Sequence, residues 1–194
     1  NLVLPNSLEY IGENAFQFAG KFVGDLTIPE KIHVLYGDTF WNNGEGAFTG
    51  TLDLNNVRAI GNSCFLCCGF TGELVIPEGV TDIPVNCFQR PYKGGFTSVH
   101  LSSTVKTISS QAFYGHSRLM SVNFPEELIA IGKEAFRDCG QLQSLEMPKY
   151  LQTIQSNAFM NCYGISSIIC HSTEPPTVQQ GAFDGVPKDN FTVE

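Results

Sequence analysis

The nine residues LEYIGENAF (8–16) return along the chain as VRAIGNSCF (57–65), VTDIPVNCF (80–88), VKTISSQAF (105–113), LIAIGKEAF (128–136) and LQTIQSNAF (151–159). IHVLYGDTF (32–40) is a worn copy, and VQQGAF (178–183) is a shortened one. The copies start at Leu8, Ile32, Val57, Val80, Val105, Leu128, Leu151 and Val178, with spacings of 24, 25, 23, 25, 23, 23 and 27 residues. A unit of this size cannot bury its own apolar side. Copies must stack on one another, and the core becomes a continuous column.

Each unit carries a second apolar segment: LTIP (26–29), LVIP (74–77), VNFP (122–125) and LEMP (145–148), with LDLN (52–55), VHLS (99–102) and IICH (168–171) as variants. In LQSLEMP (142–148), Leu142, Leu145 and Met147 alternate with Ser144 and Glu146, which is the period of a strand. The proline ends the strand because it has no N–H to donate to a ladder. No window carries a long 3.6-residue period. One short parallel strand per unit of about 23 residues predicts a leucine-rich-repeat ribbon with strands about 4.8 Å apart. The expected fold is an α/β-type repeat solenoid, mostly short parallel strands and turns with short 3-10 or helical segments. It spans residues 1–194 as a single domain of about eight copies. Leu2-Val3-Leu4-Pro5 reads like the end of a unit, and Phe191-Thr192-Val193-Glu194 like a strand beginning, as in a piece of a longer chain.

The recurrent pattern L-x-x-I-G-x-x-A-F-x-x-C-x-x-L-x-x-L-x-[IL]-P, matched at almost every position by residues 128–148, resembles the BspA-type (Treponema pallidum-type) leucine-rich repeat. The departures are Tyr36-Gly37-Asp38-Thr39, Pro84 for the glycine, and His116 or Ala19 where the pattern has cysteine. The resemblance implies a solenoid of bacterial surface proteins, cell-surface or secreted, often implicated in adhesion to host or partner proteins. It brings no catalytic residues.

Composition narrows the function. Eleven Lys and Arg against nineteen Asp and Glu give a net charge of −8, which argues against nucleic acid and against a polybasic membrane anchor. No apolar run approaches the ~18 residues of a membrane-spanning helix, so direct insertion by this segment is not expected. No nucleophile-elbow, zincin, phosphate-loop or dinucleotide-binding motif occurs.

Seven cysteines remain as candidate chemistry. Cys139 stands beside Asp138 like a reactive centre, but the repeat places it in a column with Cys68 and Cys162, each three residues after a repeat phenylalanine. Cys64 and Cys87 fall in the alanine column. Columns of this kind predict packed, free thiols that act as small apolar groups. Equivalent side chains in neighbouring copies point in parallel, whereas a disulfide needs Cβ atoms converging to about 3.8 Å. CFLCC (64–68) lacks the second element of a zinc site. His116 belongs to the cysteine column and is expected to be buried with its polar atoms satisfied. His100 and His171 are expected to face out some 14 Å apart, too far to share a metal. No cofactor is expected.

Two surfaces are candidates for a protein partner. The spacing from repeat phenylalanine to next strand is nine residues in most copies but ten, twelve and eleven after Phe16, Phe40 and Phe88, so insertions cluster in the N-terminal half. They carry Trp41, the only tryptophan, and the group Arg90, Tyr92 and Lys93, residue types that anchor interfaces. Trp41 serves equally as packing over the worn second copy. The outward row of the strands holds Asp53, Glu73, His100, Asn123 and Glu146, among small polar neighbours. It suits a basic partner or plain solvation. The expected function is a non-enzymatic protein-binding or adhesion module of a bacterial cell-surface protein, with a host or extracellular-matrix protein as partner. A spacer without its own ligand is the alternative, and a cysteine-dependent enzyme a third.

Overall fold

The computed structural model describes residues 1–42, 47–89, 91, 94–172 and 174–187. Among the described residues, fourteen short strands alternate between two parallel rows. The first row contains β1 (Leu26–Thr27), β3 (Leu52–Asp53), β5 (Thr71–Val75), β7 (Gly95–His100), β9 (Ser121–Asn123), β11 (Ser144–Met147) and β13 (Ser167–Cys170). The second contains β2 (Val34–Leu35), β4 (Ala59–Ile60), β6 (Asp82–Ile83), β8 (Thr107–Ile108), β10 (Ala130–Ile131), β12 (Thr153–Ile154) and β14 (Thr177–Val178). Every recorded pairing is parallel, between equivalent strands of successive coils. Alternation sets the inside: in β11, Leu145 and Met147 are buried while Ser144 and Glu146 face water.

The last coil differs from the expected register. Val178 pairs with Ile154, so it fills the isoleucine column and not the starting column of the copy. Proline-rich residues 174–176 hid the true start.

The expected α/β character and 3-10 or helical segments are not found: no helix occurs among the described residues. The stretch from glycine through A-F to cysteine folds as an arc of consecutive tight turns. Ala135, Arg137 and Cys139 donate to the carbonyls of Gly132, Glu134 and Phe136, each three residues back. The alternate N–H groups of Glu134, Phe136 and Asp138 donate to Ser156, Ala158 and Met160 of the next coil, at 3.1, 2.8 and 2.9 Å. This requires left-handed backbone two residues before and two after the phenylalanine, as at Glu134 (φ 56°) and Asp138 (φ 63°). The same two columns hold Asn14, Phe18, Ser63, Cys67, Asn157 and Asn161, all at positive φ. A helix sends its N–H groups along its own axis; here half of them lie along the solenoid axis and join successive coils.

The repeat phenylalanines form one stack. Phe16, Phe40, Phe65, Phe88, Phe113, Phe136, Phe159 and Phe183 follow one another at 5.3–5.5 Å between ring centroids, with interplanar angles of 1–11°. A second stack runs through Phe22, Phe48, Phe70 and Phe96 and ends on the His116 imidazole, 5.3 Å from Phe96. Each second-stack ring meets the first stack at a steep angle, 70–88° from Phe22 to His116. Edge-to-face contacts of this kind add to plain apolar burial. Phe48 lies in the long insertion, is fully buried, and its N–H donates to Phe22 O at 2.7 Å. That insertion therefore feeds the core.

Candidate binding surface

The cysteine column has a shared bond. The thiols of Cys68, Cys139 and Cys162 donate to the carbonyls of Phe40, Phe113 and Phe136, one coil back, at 3.1, 3.4 and 3.1 Å. All seven cysteines are free. Burial drives the thiols of Cys64, Cys68, Cys87 and Cys139 far up and that of Cys162 up to about 12. A nucleophilic cysteine needs the opposite shift. In the same column His116 is buried, with Nε2 2.6 Å from Phe88 O and Nδ1 accepting from the N–H of Phe96 at 3.2 Å. Desolvation lowers its pKa to about 4, so the ring is neutral.

The arc surface carries a polar chain that repeat-column reasoning missed. Gln89 donates to Gln111 (2.7 Å), Gln111 to Glu134 (2.5 Å), and Arg137 to Glu134 (3.0 Å). Arg137 also lies 3.8 Å from Asp138, which accepts from Asn161 at 2.7 Å. The Gln111 hydrogen bond, then Arg137, hold the Glu134 carboxyl below the usual range against its partial burial. The Gln89–Gln111, Gln111–Glu134 and Asn161–Asp138 bonds join neighbouring coils, while the buried Arg137 Nε makes no hydrogen bond; glutamine and glutamate one repeat apart were the available signal.

Asp53, Glu73, His100, Asn123 and Glu146 are all exposed on the first strand row. His100 stands level with Val75 and Asn123 in the ladder. Two Glu–His pairs repeat with the same offset across neighbouring strands: His100 Nε2 is 3.1 Å from Glu73, and His171 Nε2 is 3.9 Å from Glu146. Asn123 is not a free group. Its amide accepts from the N–H of Leu101 at 2.8 Å and donates to Leu101 O at 3.1 Å, closing the end of β7. Asp53 likewise accepts from the N–H of Asn55 at 3.0 Å. Trp41 lies apart from this face, half-buried on the arc, 5.0 Å from the exposed ring of Phe18. Arg90, Tyr92 and Lys93 lie outside the described residues.

Two adjoining depressions of about 330 and 320 Å³ cross the strand row, sharing Phe124 and Glu146. Among the described residues no group of three or more His, Cys, Asp and Glu is placed to hold a metal ion, and no helix is long and apolar enough to cross a membrane.

Parallel coils, an inward leucine and isoleucine ladder and an open strand face define a leucine-rich-repeat solenoid. The chain belongs to the BspA-type leucine-rich repeat family, whose model matches six copies over residues 1–93 and 91–194. A leucine-rich cell surface protein from Faecalibacterium prausnitzii A2-165 is similar in fold, with TM-score 0.57, 18% identity, and coverage of 94% of this chain and 62% of that one. A leucine-rich repeat protein from Bacteroides ovatus has TM-score 0.54, 20% identity, and coverage of 94% and 63%. The chain thus spans less than two thirds of either neighbour. No curated protein matches its sequence.

Proposed function

We propose that this chain is a non-enzymatic protein-binding module of a bacterial cell-surface protein and that it docks its partner, a host or extracellular-matrix protein, through the first strand row. The observation that carries this reading is the row itself: seven strands with exposed side chains running along the solenoid. Solenoids use faces of this kind as extended docking surfaces. The family supports a protein-interaction role, and the surface location of a structural neighbour supports the compartment. The buried thiols give no support to cysteine catalysis.

The test is surface capture of purified extracellular proteins by the immobilised chain. A partner retained at micromolar concentration and released by His100→Ala with Glu146→Ala supports the reading. Loss on Trp41→Ala or Arg90→Ala instead moves the site to the insertions. Retention of none leaves a spacer that displays other domains.

A further inference from the structure

We propose that the groove over Phe124 receives an arginine or lysine side chain of a partner polypeptide lying across β7 to β13. This rests on the strand-row reading above and names the chemistry of its partner. The equivalent position is held in five other coils by Ile28, Leu54, Ile76, Leu101 and Met147, each no more than 4% exposed, and in the coil after Met147 by the exposed Cys170. Phe124 is larger and only partly buried. Its ring meets Phe136 and Phe159 edge-on at 5.7 and 6.5 Å, and it lines both depressions.

Carboxylates outnumber cations around that ring, with Glu126 and Glu146 against Lys149. None of the seven strands of the row contains lysine or arginine, whereas Asp53, Glu73 and Glu146 lie on them. Glu146 and Glu126 border the groove; the one cation at its edge, Lys149, has its Nζ 5.0 Å from the Tyr150 ring centroid. The imidazoles of His100 and His171 are turned to Glu73 and Glu146. An aromatic face attracts a cation within about 6 Å, carboxylates hold guanidinium in a two-bond geometry, and the aliphatic stem of lysine or arginine covers an apolar floor. The groove combines the Phe124 ring, Pro148 and two carboxylates, and the net charge of −8 favours approach of a basic chain.

The probe is a short capped peptide of alternating serine and arginine, compared with its citrulline counterpart, which keeps the shape and removes the charge. Binding to the 194-residue chain is read by fluorescence anisotropy at low ionic strength. The arginine peptide should bind at least ~10-fold more tightly than the citrulline one, and Glu126→Gln with Glu146→Gln should erase ~10-fold of its affinity. Phe124→Leu, which keeps an apolar residue but removes the ring, should weaken binding several-fold, and Glu30→Gln on a distant coil should leave it unchanged. Equal binding of both peptides, no binding of either, or an equal loss with Glu30→Gln overturns the proposal. A captured protein partner indifferent to the Glu126, Glu146 and Phe124 variants also overturns it, while leaving the binding-module reading intact.

Discussion

His116 Nε2 lies 2.6 Å from the carbonyl oxygen of Phe88, the same type of carbonyl, one coil back, that Cys68, Cys139 and Cys162 engage. The imidazole does more than a thiol. Through Nδ1 it also holds the N–H of Phe96, on the far side of the insertion that begins after Phe88. One side chain thus pins both ends of that insertion.

This clamp makes stability pH-dependent. The ring titrates near 6.5 when unfolded and near 4 when folded. Between those values the unfolded chain binds the extra proton, so this contribution is fully present above pH 6.5 and is lost as pH falls to 4. At ~1.4 kcal/mol per pH unit the loss is about 3 kcal/mol. His116→Cys keeps a donor toward Phe88 but removes the titration. Urea unfolding from pH 4 to 7 should show wild type ahead by roughly 1–3 kcal/mol at pH 7, with the gap closing toward pH 4. A constant gap would refute the clamp.

The phenylalanine stack predicts a gradient of sensitivity. Phe136 is fully buried between Phe113 and Phe159, whereas Phe183 has a stacking partner on one side and is partly exposed. Phe136→Ala should cost about 3–5 kcal/mol, and Phe183→Ala clearly less. Equal shifts in thermal midpoint would show that the stack does not act as a continuous core.

Left-handed arc positions predict an inverted rule for side-chain size. Ser63 sits at φ 54°, where a β-branched residue is strained and glycine is not. Ser63→Val should be ~1–2 kcal/mol less stable than Ser63→Gly in denaturant titration. If the two variants unfold together, the arc does not demand that conformation.

Thiol accessibility gives a direct check on the cysteine columns. Cys170 is exposed and Cys67 half-buried, while the other five are buried. Alkylation followed by mass spectrometry should mark Cys170 first, and Cys64, Cys68, Cys87, Cys139 and Cys162 only on unfolding. Rapid native labelling of Cys139 would reopen cysteine chemistry.

The repeat was legible because stacking acts on every copy alike. Leucine, isoleucine and phenylalanine columns recur wherever the core needs them, and Cys139 is identified as packing by Cys68 and Cys162. Asp138, in a column with Cys67 and Asn161, keeps no chemistry from copy to copy. What that column keeps is a conformation: all three residues have positive φ. Asparagine, aspartate and glycine at these places were the trace of it. The clue is weak, because the next coil's carbonyls hold even phenylalanine and cysteine there.

Period and alternation alone account for the solenoid, its inward ladders and the exposure of Asp53, Glu73, His100, Asn123 and Glu146. Packing of coil on coil makes the arcs turns and not helices, brings Phe48 into a second ring stack, sets His116 as a clamp on an insertion and commits Asn123 to Leu101. Those outcomes depend on contacts between residues about a full repeat apart or more, where one coil's N–H groups, carbonyls and rings find partners that no single copy contains.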